Sequence, residues 1–298
     1  MFSDSGTVPR LRRDNSLPRG VTIRSMPHKL IDPPAHPVHE GSVHSADGTR
    51  IAFTKLGEGP PIIFIHGSIS HHVIWMPVAR LLAPSFTCFV VDRRGRSKSG
   101  HGNSPYSMDR ECEDLAAVMA VAGPGATLVG HSYGAICALE AALRMPVSRM
   151  VIYEPPIPVG GPIAGEYLAP YAEAVQRGDT DAAIQLGLAR FSRMPDAEIV
   201  RTRESRGWPR LCAMASTWID ELKVMDALNP NVSRYEALPC PVLLLEGSES
   251  PEHPLRNAAR ALAALPGVRL ETLAGHDHVG MRTAPALVAS LISDFVSA

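Results

Sequence analysis

Long apolar runs are missing from this chain. Runs such as Leu115 to Ala122 and Val242 to Leu245 fall far short of the ~20 residues a helix needs to cross a bilayer, so no membrane span is expected. The first 25 residues carry five arginines but no apolar stretch able to act as a signal-peptide core. A mitochondrial presequence would share those arginines but not Asp4 and Asp14. A cytoplasmic location is therefore the expectation. An excess of basic charge is also missing. Lys+Arg 29 against Asp+Glu 30 leaves a formal net charge of −1, so nothing is available to displace counterions from a nucleic acid. Cysteine is sparse and odd in number (Cys88, Cys112, Cys137, Cys212, Cys240), with no CxxC pair, which reads as reduced thiols inside apolar segments. There is no HExxH and no cluster of carboxylates, so no metal is expected. Gly57-Glu58-Gly59 lacks the strand–helix context of a dinucleotide loop, so no cofactor is expected.

What the 298 residues do contain is an ordinary globular share of hydrophobic residues, 45%. Residues 1–40 are rich in proline, scattered with Arg and Ser, and without periodicity, the pattern of a flexible arm. Ser42 to Ser45 and Arg50 to Lys55 flank Asp47-Gly48, a hairpin signal. Ile62 to Ile65, Thr87 to Val91, Thr127 to Val129, Arg149 to Ile152 and Val242 to Leu245 are apolar without alternation, as parallel strands covered on both faces are. Helical stretches lie between them (Trp75 to Leu82, Met108 to Ala122, Tyr133 to Arg144, Pro254 to Ala264), and Arg269 to Leu273 with Pro285 to Val296 closes the chain. The expected fold is α/β, a doubly wound and mostly parallel sheet, with its core in residues 41–154 and 239–298. Residues 155–238 show no strand signal and enter through a Pro/Gly-rich stretch that suits a hinge, which reads as an inserted helical cap.

Gly130-His131-Ser132-Tyr133-Gly134 is a G-x-S-x-G pentapeptide with a strand before it and a helix after it. That context makes Ser132 the candidate nucleophile on a strained turn. A serine hydroxyl needs a base, and His276 and His278 lie in the loop after the last strand. Ile65-His66-Gly67-Ser68 follows another strand end. Its turn can aim the Ser68 amide at a developing oxyanion, with the Tyr133 amide as the second donor. His66 reads as structural, His71-His72 as a solvated pair without a third partner, and the basic segment Asp92 to Gly100 as a surface loop.

Taken in order, His66-Gly67, Asp92-Arg93-Arg94-Gly95-Arg96-Ser97, Gly130 to Gly134 and Gly275-His276-Asp277-His278 resemble the α/β-hydrolase superfamily from about Gly41 to the end. The resemblance puts His278, rather than His276, at the catalytic position. The family's commonest acid position carries Ser250, with Glu249 beside it. Some members, including certain lactonases, carry the acid after the strand that follows the nucleophile's helix. Here that strand ends in Glu154-Pro155-Pro156, so Glu154 is preferred and Glu249 is the alternate. The resemblance implies a cofactor-free serine hydrolase cleaving a carboxylic ester or lactone of a mostly apolar small molecule. The superfamily also holds lyases, cyclases, acyltransferases and small-molecule receptors, which remain the alternatives. Nothing in the sequence excludes a homo-oligomer.

Overall fold

Side chains along a strand alternate between its two faces. The strand Pro61–Ile65 shows what that demands of a covered sheet: Ile63 and Ile65 join one buried cluster while Ile62 and Phe64 join another. The computed structural model describes residues 36–298. Of the arm expected at residues 1–40, residues 1–35 lie outside them. Eight strands form one sheet among the described residues: β1 (Val38–His44), β2 (Arg50–Leu56), β3 (Pro61–Ile65), β4 (Thr87–Val91), β5 (Thr127–His131), β6 (Arg149–Tyr153), β7 (Val242–Gly247) and β8 (Val268–Leu273). Their spatial order is β1-β2-β4-β3-β5-β6-β7-β8. β2 is antiparallel to both neighbours, and every pairing from β4 to β8 is parallel.

β1 begins at Val38, inside the segment assigned to the arm. Val38, His39 and Glu40 pair with Leu56, Lys55 and Thr54. Their side chains are exposed, so this edge strand carries no apolar alternation for sequence to register.

Helices α1 (Met76–Leu82) and α11 (Pro285–Ser297) pack on the face of Ile62, Phe64, Val90 and Leu243. Helices α2 (Met108–Ala122), α3 (Tyr133–Ala142) and α9 (Asn257–Ala263) cover the face of Ile63, Phe89, Leu128 and Leu244. α2 starts where the Ser107 side chain accepts the Arg110 amide, with Asp109 and Glu111 in its first turn, an arrangement that favours a helix N-terminus. A short helix, α10 (Gly280–Thr283), was not expected from the sequence.

Between β6 and β7 the described chain is helical: α4 (Leu168–Gln176), α5 (Thr180–Arg190), α6 (Asp196–Arg203), α7 (Trp208–Ala213) and α8 (Ala215–Asp226). Tyr171, Phe191 and Trp218 meet edge to face with ring centroids 5.3 to 5.8 Å apart and form the core of this helical segment. The residues that follow the Pro/Gly-rich entry are tied to α8. The Asp226 carboxylate accepts the amides of Ile163, Ala164 and Gly165 at 2.6, 3.1 and 2.8 Å.

Candidate active site

The parallel strands end together on one side of the sheet, and each functional turn leaves from such an end. β5 ends at His131, and Ser132 follows with φ 54° and ψ −125°, a conformation that costs an L-residue about 1–3 kcal/mol. The Ser132 amide donates to the Tyr153 carbonyl at 2.8 Å, and its own carbonyl accepts from Ala135 at 2.9 Å. Two glycines let this turn close. A Cβ on Gly134 would stand 2.5 Å from the Ile65 and His66 carbonyls, and one on Gly67 would stand 2.8 Å from Ser132 Cβ. The Gly67-Ser68 turn is therefore packed directly on the candidate nucleophile. Neither the Ser68 nor the Tyr133 amide donates to a protein acceptor among the described residues.

β6 ends at Tyr153, and the next residue, Glu154, is fully buried. Its Oε2 accepts from His278 Nδ1 at 2.6 Å and its Oε1 from the Gly247 amide at 2.6 Å. The Glu154 amide donates to the Leu245 carbonyl at 3.1 Å. Pro155, directly after it, favours an extended backbone at Glu154, yet its φ is +47°. That twist turns the carboxylate back toward β7 and the histidine loop, and three hydrogen bonds hold it there. Glu249, the alternate acid, is exposed, and its carboxylate accepts from the neighbouring Ser248 hydroxyl. His276 bonds the Thr283 hydroxyl at 3.1 Å, apart from Glu154.

Two further residues fix the histidine loop. His131 Nε2 donates to the His278 carbonyl at 2.8 Å, and the two rings lie 4.4 Å apart. The Tyr153 hydroxyl donates to the Asp277 carbonyl and accepts the Gly280 amide at 3.2 Å. Neither was singled out from sequence. Both sit beside a residue that was, which is the signal that pointed to them. Burial, with His278 adding to it, holds the His131 pKa well below the ordinary histidine value.

The segment after β4 departs most from expectation. Arg93, Arg94 and Arg96 are at most 3% exposed, not parts of a surface loop. Arg93 donates Nε to the His66 carbonyl at 3.0 Å, Nη2 to the Gly67 carbonyl at 3.3 Å, and Nη1 to Glu111 at 2.7 Å. It also pairs with Glu221 of α8, which Arg96 reaches at 2.7 Å. Burial works against the Arg93 cation, but Glu111 and Glu221 outweigh it and hold its pKa above the ordinary value. Its guanidinium lies 4.9 Å from the Tyr133 ring centre, and the Tyr133 hydroxyl donates to Tyr106, which donates to Glu111 at 2.9 Å. Arg93 thus touches both turns that present the Ser68 and Tyr133 amides. His66 is structural: Nδ1 donates to the Gly67 carbonyl and Nε2 accepts the Arg93 amide.

His71 and His72 do have a third partner. Their ring nitrogens and an Asp92 oxygen lie within 4.8 Å of one another. His72 Nδ1 and its amide both donate to Asp92 Oδ1, at 2.8 and 3.0 Å, while the Arg210 cation donates to His71 Nε2 at 3.2 Å. Asp92 follows β4, and His72 opens a short 3₁₀ turn, so the pairing is one of fold rather than of sequence neighbours.

An eight-stranded, mostly parallel sheet with a strained serine at a strand–helix elbow defines a class of proteins. The model of the Alpha/beta hydrolase family matches residues 62–291, and the chain belongs to that family. It is 31% identical to an alpha/beta hydrolase of Sphaerobacter thermophilus, with a TM-score of 0.77 over 86% of this chain and 99% of that one. An esterase from a Rhodococcus species superposes with a TM-score of 0.68 at 22% identity, over 87% and 98% of the two chains. The 2-(acetamidomethylene)succinate hydrolase of Mesorhizobium japonicum is 26% identical over 253 residues, 81% of this chain and 90% of its own length. Among the described residues no helix is long and apolar enough to cross a membrane.

Proposed function

We propose that the protein is a serine hydrolase that cleaves a carboxylic ester or lactone of a mostly apolar small molecule through an acyl-enzyme, without a cofactor. One geometry supports this above all: Glu154 Oε2 lies 2.6 Å from His278 Nδ1, in a loop tied to the residue before the strained Ser132. With Nδ1 committed to Glu154, Nε2 is the nitrogen left to take a proton. Ser132 Oγ attacks the carbonyl carbon and its proton passes to His278 Nε2. Glu154 keeps the imidazole in that tautomer and faces the imidazolium once it forms. The negative charge on the former carbonyl oxygen is met by the amides of Ser68 and Tyr133. His278 then protonates the departing alkoxide, and water, deprotonated by the same nitrogen, releases the acid. The esterase and hydrolase names among the relatives agree with this reaction class.

A serine-directed fluorophosphonate tests it. Labelling confined to the peptide containing Ser132, absent in Ser132→Ala, is expected alongside turnover of simple aryl esters. A chain that is neither labelled nor active on any ester is a binding protein or a catalyst of another kind.

A further inference from the structure

Around Glu221 the structure holds three buried polar atoms without a partner. Glu221 Oε1 accepts from both Arg93 and Arg96, but its Oε2 accepts from nothing in the protein. Arg96 uses Nη2 on that carboxylate and leaves Nε unpaired. Against the cost of burial, the Ser68 hydroxyl beside the same carboxylate joins Arg93 and Arg96 in lowering its pKa, but not at the geometry of a full hydrogen bond. All three atoms are shielded from solvent, and Glu221 and Arg96 are 1% and 3% exposed. Buried polar groups are nearly always paired, so three together at one place call for an occupant.

The cluster lies at the junction of cap and core, one residue from Gly67, which packs on Ser132. We infer that Glu221, Arg96 and Ser68 form a subsite for an uncharged hydroxyl or amide group on the acyl part of the substrate, an inference that rests on the hydrolytic reading above. A hydroxyl supplies both halves of the missing pairing. Its proton goes to Glu221 Oε2 and its oxygen accepts from Arg96 Nε–H, while the Ser68 hydroxyl serves as either partner. Charge decides against a carboxylate. Arg93 and Arg96 are already balanced by Glu111 and Glu221, so a third negative group would face the free lone pairs of Glu221. A dicarboxylate, as in the name of the Mesorhizobium relative, would need a cation this cluster does not have spare.

The test compares p-nitrophenyl butyrate with its 2-hydroxy and 3-hydroxy counterparts and with the p-nitrophenyl monoester of succinate. One of the hydroxyacyl esters should exceed the plain butyrate in kcat/KM by about tenfold or more, since an unpaired charged group gains its partner. Ser68→Ala and Glu221→Gln should each lower that ratio, while Glu249→Gln keeps it. If Glu221→Gln does not fold, the Ser68→Ala ratio decides. A wild-type ratio near unity for both hydroxyacyl esters overturns the subsite, as does a ratio that survives in these variants. Preference for the succinate ester also overturns it, in favour of an anionic site. Turnover of plain butyrate and phosphonate labelling report separately on the hydrolytic reading; loss of both removes that reading and the subsite with it.

Discussion

Two turns, at the ends of the strands on either side of β3, answer differently to their own sequence. The elbow after β5 is decided locally. Glycines flank Ser132, a strand precedes it, a helix follows, and every contact that strains it comes from residues within that motif or from the next strand ends. The arginine turn after β4 is decided from afar. Its three arginines look like surface charge until Glu111, Asp114 and, from α8, Glu221 arrive to neutralise them. The elbow's strain is written into its own residues, whereas a buried charge takes its meaning from a partner that sequence does not bring near.

The contrast can be broken or sharpened by substitution. The elbow side should govern rate with little effect on stability. Ser132→Ala should lower kcat on an active ester by a factor on the order of 10⁶, with a thermal midpoint near wild type. A variant that unfolds earlier, or keeps much of its turnover, would break the contrast at its first term. Glu154→Gln keeps the shape but leaves the histidine in the wrong tautomer, and a fall of ~10⁴-fold in kcat is expected from steady-state kinetics.

On the arginine side the order reverses, with stability leading. Arg93→Met leaves Glu111 and Glu221 buried without their common partner and should cost about 3–5 kcal/mol, read from urea midpoints. Smaller still is the pH dependence. Burial, with Arg93 adding to it, holds the His66 pKa well below 6.5, as burial and His278 do for His131. Both stay neutral in the fold but take up protons when unfolded below pH 6.5. Stability is therefore complete above that pH and lost on acidification, at about 1.4 kcal/mol per pH unit for each histidine. Asp114 opposes them: burial, resisted by Arg94, raises its carboxyl to about 6, so between there and 3.8 the folded state binds the extra proton. Between about pH 6 and 3.8 Asp114 therefore offsets one of the two histidine contributions, and His131→Asn should flatten most of the slope that remains. The smallest effect belongs to Glu249→Gln, whose exposed carboxylate touches no member of the site; its kcat/KM should match wild type in the same assay.

The parallel strands, their helices and the elbow were legible because each depends on short-range pattern: apolar runs, flanking glycines, one serine at one spacing. Glu154 was legible as a residue at a strand end, but not its +47° φ, because Pro155 alone argues for extension and only the Gly247 amide and His278 reverse it. β1 was hidden in part because an exposed edge strand has no buried face to mark its first residues. The Asp92 partnership with His72 spans 20 residues and two elements, and Glu221 meets Arg93 across 128. No periodicity reports such pairings.

Glu154 is also the last residue before the chain leaves the sheet for the helical segment of α4 to α8, and its amide is still paired to β7. The seam between sheet and helical segment therefore runs through the carboxylate itself. An exchange of that segment between relatives that cuts at this joint would reset the backbone angle that aims the carboxylate at His278, whereas a cut beside Val242, where the chain returns to the sheet, leaves every hydrogen bond of Glu154 in place. For recombination, the protein has one permissive border and one that carries the proposed acid.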